Sequence, residues 1–496
     1  MITRQKEKQR TQIELISLDE LVPKDHLVRK LEAAIDFSFI YDLVKDKYSE
    51  ERGRPSIDPV SLFKIVLVQY LFGIRSMRQT IQEIQTNMAY RWFIGYGLNE
   101  EIPHFTTFGK NYVRRFKDTD IFEQVFQRIL EEVIRAGFLR PEEVFIDATH
   151  VKASANKGKY RKEMVEKSVR HYQDQLEAEV DKDRANHGKG PLKESKKKVE
   201  MKEQKVSTTD PESGILRKSE KEKCFAYSYH TACDPNGFIL GLAVTGANVH
   251  DSTMLEAILN QVTARVGAPQ SIAVDAGYKT PFICKILLER DIRPVMPYKR
   301  PMTKKGFFRK HEYVYDEYHN CYLCPQDKIL TYRTTNREGY REYHSNPVDC
   351  RTCPHLAQCT ESRDHTKRLM RHVWQDYLDE AEHLRHTTQN KTIYAKRKET
   401  IERVFADMKE KHGMRWTTLR GIKRVATEAM LVAAAMNLKK LATWKWRKGM
   451  TGPGPSSFKR LILFLRKMLA PTQGNQHFVY SLPPALIAGG FVRFLL

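Results

Sequence analysis

The sequence predicts an α/β protein: a mixed sheet with flanking helices, preceded by an all-helical N-terminal domain and interrupted by a cysteine-rich, zinc-ribbon-like insertion. Three observations predict it. Helical periodicity with helix caps fills the first 120 residues. Two continuous apolar runs then end in aspartate, Val144-Phe145-Ile146-Asp147 and Ile272-Ala273-Val274-Asp275. Runs of this kind suit central strands covered on both faces. Finally, Cys-x-x-Cys pairs open at Cys321 and Cys350, between the second run and a late helical stretch.

Composition bounds the function. The chain has 496 residues, enough for two to four domains. It carries 84 Lys+Arg against 61 Asp+Glu, a net charge of +23. An excess of this size favours nucleic acid or an anionic membrane surface. A hydrophobic content of 41% supports real cores and excludes a disordered basic protein. The start, Met1-Ile2-Thr3-Arg4-Gln5-Lys6, is charged with no apolar segment behind it, so no signal peptide is expected. No apolar run is long enough to span a bilayer. The clustered cysteines are not spread as a disulfide framework. Together these predict a reducing, cytoplasmic setting.

Residues 1–120 read as a helical, DNA-end-binding domain. Leu62, Ile65, Val66, Gln69 and Tyr70 sit at helical spacing after Pro59, Gly73 breaks the pattern, and Ser76 caps a second helix through Ile81 and Ile84. Arg75, Arg78, Arg91, Lys110, Arg114 and Arg115 add positive charge. A packing or dimerisation domain with a basic face is the alternative. Residues 140–300 hold the first part of the α/β core. Within it, 156–222 is a charged insertion including Lys196-Lys197-Lys198, expected as an exposed helical arm or flexible segment. Strands at 224–230 and 238–244 flank Asp234-Pro235-Asn236-Gly237, a hairpin signal. A helix over 252–262, a strand over 270–275, a helix near 281–290 and a strand over 292–297 follow. Residues 301–395 form the cysteine-rich insertion, 396–446 return two helices to the core, and 447–496 form a tail without an assigned role.

The chemistry rests on three acids, Asp147, Asp275 and Glu402. Two strand-end carboxylates and one on a packed helix can converge, and oxygen ligands suit Mg²⁺ or Mn²⁺. Ile401, Val404, Phe405 and Met408 are spaced i, i+3, i+4, i+7, which gives one buried stripe. At about 100° per residue, Lys398, Glu402 and Lys409 fall on one edge of it. The carboxylate can then face a metal while the two lysines approach a phosphate backbone.

Phe145-Ile146-Asp147-Ala148-Thr149, Ala273-Val274-Asp275-Ala276-Gly277-Tyr278 and Ile401-Glu402-Arg403-Val404-Phe405 with Lys409 resemble the three acidic motifs of bacterial insertion-sequence transposases of the DDE class. Glu402 and Lys409 reproduce that family's Glu–six residues–Lys/Arg spacing. Asn248-Val249-His250-Asp251-Ser252 resembles a recurrent segment ahead of the second Asp, and Thr208-Thr209-Asp210-Pro211-Glu212 one seen in a cysteine-containing subgroup. The resemblance spans roughly residues 15–445. One departure stands out. The family often reads Tyr-x-x-Arg-x-x-x-Glu, but here Tyr394 and Arg397 lie one position further back and Lys398 takes the Arg slot.

The resemblance implies a ribonuclease H-like core and DNA transposition. Catalytic residues would be Asp147, Asp275 and Glu402, holding two Mg²⁺ or Mn²⁺ ions about 3.5–4 Å apart across a scissile phosphate. Partners would be double-stranded DNA, as terminal inverted repeats and target, and further copies of the chain in a homodimer or larger synaptic complex. No membrane partner is expected; the location would be the bacterial cytoplasm, at the nucleoid. Two alternatives keep the fold: a catalytically inactive transposase-derived DNA-binding protein, and a ribonuclease H-like nuclease or resolvase.

Cys321, Cys324, Cys350 and Cys353 form two Cys-x-x-Cys pairs with 25 residues between Cys324 and Cys350. Four thiolates suit one tetrahedral structural Zn²⁺. Cys359 and His355 are alternative ligands, and a redox pair or unligated thiols the alternative chemistry. Cys224, Cys233 and Cys284 read as packed core residues.

Overall fold

The computed structural model describes residues 15–49, 56–166, 172–192, 201–217, 223–300 and 303–450. Lys196–Lys198 and residues 451–496 lie outside the described residues. Helices come first: α1 (Leu18–Leu21), α2 (Leu27–Ala34), α3 (Phe39–Val44), α4 (Pro59–Leu71), α5 (Met77–Thr86), α6 (Met88–Ile94), α7 (Thr106–Asn111) and α8 (Ile121–Arg135). The start of α4 follows its sequence signals. Pro59 takes the first helical turn, and the Asp58 carboxylate accepts the Ser61 N–H at 2.7 Å. Ser76 caps α5 through the Gln79 N–H. Gly73 between them has φ +65°, and a Cβ there would meet the Lys411 carbonyl oxygen at 2.7 Å. Only glycine suits that position.

The basic residues of this region do not act alike. Arg91 is buried, and its guanidinium donates to the carbonyls of Gln85, Gly97 and Glu100 at 3.1, 2.7 and 3.0 Å. It ties the end of α5 to the chain after α6 and is not a surface cation. Arg78 and Arg115 lie over the rings of Phe105 and Tyr48.

The strands begin with β1 (Glu143–Lys152), followed by β2 (Tyr160–Glu166), β3 (Met201–Ser207), β4 (Gly214–Arg217), β5 (Lys223–Cys233), β6 (Ile239–Gly246), β7 (Ser271–Ala273) and β8 (Arg293–Val295). The central sheet runs β4-β5-β1-β7-β8, with β6 also on β5. β1 is antiparallel to β5 and parallel to β7, which is parallel to β8. The sheet is thus mixed. The turn from β5 to β6 lies at 234–237, with Gly237 at φ +72°. Asp234 braces it by accepting the N–H groups of Phe238 at 2.7 Å and Arg140 at 3.0 Å.

Helices α10 (Leu255–Val266) and α11 (Pro281–Glu289) pack on this sheet, while α9 (Gln173–Asn186), between β2 and β3 in the chain, packs on a strand over Ile329–Thr335 further on. The charged segment holding α9 was expected to be an exposed arm or a flexible stretch. Instead α9 buries Leu176, Val180 and Asp183. Asp183 is tolerated there because it accepts from the Thr335 hydroxyl at 2.6 Å and the Arg341 guanidinium at 2.8 Å.

Beyond the core sheet, five antiparallel strands follow in sequence order: β9 (Val314–Asp316), β10 (Cys321–Leu323), β11 (Ile329–Thr335), β12 (Tyr340–Ser345) and β13 (Arg368–His372). The short helices α12 (Pro347–Arg351) and α13 (Leu356–Cys359) sit between β12 and β13. This sheet has its own small core of Tyr313, Tyr322, Leu330, Tyr343 and Leu369.

The chain returns through α14 (Gln375–Arg385), α15 (Thr388–Ala395), α16 (Ile401–Lys411) and α17 (Ile422–Arg447). α17 packs against α2, α4, α8 and β6, so one apolar cluster runs from Val22 to Ala442. Helix asparagines finish the sheet edges. Asn437 donates to the Ile239 carbonyl and accepts its N–H, both at 2.8 Å, and Asn390 donates to the Pro294 carbonyl at 2.9 Å. These bonds occupy backbone groups that an edge would leave unpaired. Among the described residues, no helix is long and apolar enough to cross a membrane.

Candidate active site

Parallel pairing of β1 with β7 aligns Phe145 with Ala273. Two residues further on, Asp275 lies just past the end of β7, whereas Asp147 is not the strand-end residue expected: β1 runs on to Lys152, and Asp147 sits within it, paired with Thr231 of β5. Asp275 turns the chain by accepting the Gly277 N–H at 2.9 Å. A Cβ on Gly277 would press on the same Asp275 oxygen at 3.1 Å, so the small residue leaves room for that hydrogen bond.

Asp147 is mostly buried. Burial pushes its carboxyl up to about 6; Asp275 and Asp251 push the same way, while Arg397 opposes them. Arg397 Nη2 lies 2.5 Å from Asp147 Oδ2, and Arg397 Nη1 lies 4.0 Å from Glu402 Oε1. One guanidinium therefore joins the first and third acids, while Asp275 touches the first through its field. Glu402 is half exposed, at 53%. Among the described residues, no three His, Cys, Asp or Glu side chains are gathered closely enough to hold a metal ion. The three acids thus neighbour one another through Arg397 and strand pairing, without forming a compact three-carboxylate group.

The two candidate lysines separate. Lys409 lies two turns after Glu402 on α16. Lys398 lies outside that helix, in a 3-10 turn at Lys396–Lys398, and the backbone breaks at Thr400 with ψ −90°. The shared helical edge predicted for Lys398 and Glu402 required an unbroken helix. Because the turn intervenes, Lys396 reaches Glu143 at 2.7 Å, Arg397 turns inward to Asp147, and Lys398 is left exposed.

Further groups complete the site. Asp251 opens the 3-10 turn Asp251–Met254, and its carboxylate lies 3.7 Å from His230 Nδ1. His230 is fully buried; burial pushes it down to about 4, so it is neutral at pH 7. Its Nε2 meets the Thr245 hydroxyl at 2.8 Å, while Nδ1 has no hydrogen-bond partner among the described residues. Tyr278 is buried with an unpartnered hydroxyl, held well above its usual range by burial and then by Asp251, Asp147 and Asp275. The oxygen chemistry of Asp147, Asp251, Asp275 and Glu402 suits a divalent cation better than an apolar ligand. Sequence reasoning missed Arg397, His230 and Tyr278 as site members. Asp251 had a signal, since its segment was singled out without a role.

The cysteines also sort by structure. Cys324, Cys350, Cys353 and Cys359 line one cavity of about 180 Å³. Cys321 is buried on β10 and does not line it. Cys233 and Cys284 are buried in the core, and Cys224 is half-buried on β5.

Two segments match known families. Residues 16–114, which hold α1 to α7, match a transposase domain (DUF772). Residues 323–442, from the end of β10 into α17, match a transposase DDE domain. No curated protein matches the chain.

Proposed function

Starting from a chain that belongs to the insertion-sequence transposases of the DDE class, we propose that it binds the element's terminal inverted repeats and catalyses metal-dependent strand cleavage and strand transfer. The observation that carries this reading is the Arg397 bridge. It ties Asp147, on a central strand, to Glu402, on a helix 255 positions later in the chain. Asp275 stands at the end of the adjacent parallel strand. The mixed order of the sheet supports a ribonuclease H-like core.

Asp147, Asp275 and Glu402 would hold Mg²⁺ or Mn²⁺, which supplies an activated water or 3′-hydroxyl and stabilises the leaving oxygen. The chain's own part is position and charge. Asp147 offers a carboxylate already drawn to Arg397. Asp275 is held in place by the Gly277 N–H. Lys409 and the exposed Lys398 provide positive charge on either side of Glu402 for the DNA backbone. No covalent bond between enzyme and DNA is needed. Because two ends must be joined, the active assembly is a dimer or larger.

The test is cleavage of DNA bearing the element's ends, with Mg²⁺, by Asp147→Asn, Asp275→Asn and Glu402→Gln. Each variant is expected to lose cleavage while retaining end binding in a mobility-shift assay. Near wild-type cleavage by any one removes that residue from the site. No cleavage by the wild type would favour the inactive DNA-binding alternative.

A further inference from the structure

We propose that the five-stranded insertion is pinned by a structural Zn²⁺ held by Cys324, Cys350, Cys353 and Cys359, with Cys321 excluded. Strand geometry excludes Cys321. Side chains alternate along β10, so Cys321 and Leu323 face one side while Tyr322 faces the other. Tyr322 belongs to the small core of this sheet, and Cys324 and Cys359 pack against the same core. Cys321 points to the opposite face. A Cys-x-x-Cys pair spread along a strand cannot bring both sulfurs to one ion.

The four remaining thiols come from two places. Cys324 begins the tight turn between β10 and β11. Its Sγ accepts the N–H groups of Gln326 and Lys328, both at 3.4 Å. Two backbone donors thus converge on one sulfur and fix its position at the cavity wall. Cys350 lies in α12, Cys353 follows one turn later, and Cys359 ends α13. Cys350 Sγ donates to Ser345 Oγ at 3.2 Å, and Cys359 Sγ lies 3.1 Å from the Tyr313 hydroxyl. Lys367 and Lys328 also line the cavity and offset negative charge. Among the described residues, no carboxylate other than Asp349 lines it, so the donors there are mainly soft sulfur.

The sulfurs stand around the cavity without being drawn to ligand distance, and an ion would close it. The gain is physical. A sheet with so few buried apolar side chains stabilises itself weakly. An ion joining the β10–β11 turn to the α12–α13 segment would fix this small unit. The inference stands apart from the chemistry of Asp147, Asp275 and Glu402.

The experiment is metal analysis of the purified full chain and of Cys321→Ser, Cys350→Ser and Cys359→Ser. About one zinc per chain is expected in the wild type and in Cys321→Ser, and at least a tenfold loss in Cys350→Ser and Cys359→Ser. Retention of zinc by Cys359→Ser, or its loss from Cys321→Ser, overturns the ligand set. Should a variant fail to fold, alkylation of the wild type with and without chelator decides. Chelation should expose Cys324, Cys350, Cys353 and Cys359 together. Chelator-independent alkylation of these four, or their isolation as a disulfide, overturns the proposal.

Discussion

Arg397 carries more of the site than its place in the sequence suggests. Its guanidinium holds Asp147 and approaches Glu402, and its Nε is buried without a partner. Arg397→Gln would leave Asp147 beside Asp275 and Asp251 without the guanidinium that offsets them. Removing one partner of a buried ion pair costs on the order of 3 kcal/mol, so urea unfolding should show lower stability. Cleavage should fall at least about tenfold, equivalent to 1.4 kcal/mol. Arg397→Lys should recover only part, because a point charge cannot span two carboxylates. Unchanged cleavage and stability in Arg397→Gln would refute the bridge. Asp147 and Asp275 were legible because apolar runs ending in acid mark buried strands. Arg397 was not, because helical angles were carried backwards through Thr400, where the backbone leaves the helix.

At the scale of elements, the segment Thr208–Glu212 gains a structural role. Asp210 accepts the Gly421 N–H at 3.1 Å and Glu212 accepts the Ile422 N–H at 3.0 Å, so two acids meet the N-terminus of α17. Tyr227 donates to both Asp210 oxygens at 2.8 Å. Negative charge there complements the helix dipole and unpaired N–H groups. Asp210→Asn is expected to cost about 1 kcal/mol, read as a lower urea midpoint at unchanged slope. An unchanged midpoint would deny the clamp. Among elements, α4, α5 and the β5–β6 turn were legible from caps and turn residues. The packing of α9 was hidden because its buried stripe, Leu176-Val180-Asp183, ends in an acid that composition assigns to solvent. Spacing alone does not reveal that Cys321, the first member of its pair, lies within a strand.

Across the whole molecule, the helical N-terminal region and the sheet share one core around α17. His412 Nδ1 meets the Tyr70 carbonyl at 2.7 Å, and Lys439 donates to the Leu71 carbonyl at 3.0 Å. Titration in this layer opposes itself. Burial lifts Glu428 to about 7, despite its bond from Thr417, and lowers His412 to about 4. For Glu428 the folded state binds the proton more tightly than the unfolded chain. Its contribution therefore declines as pH rises from about 4.5 to 7. His412 acts the other way, losing stability as pH falls from about 6.5 to 4. Glu428→Gln should accordingly match the wild type near pH 4 and exceed it at pH 8 by on the order of 3 kcal/mol. A stability difference independent of pH would contradict this account.

The central claim is that Asp147, Asp275 and Glu402 serve one metal site on DNA. Mn²⁺ titration of the full chain with element-end DNA, followed by electron paramagnetic resonance, tests it most directly. Each of Asp147→Asn, Asp275→Asn and Glu402→Gln should weaken Mn²⁺ binding at least about tenfold, as loss of a charged oxygen ligand does, while end binding persists. Wild-type Mn²⁺ affinity in all three variants would contradict it.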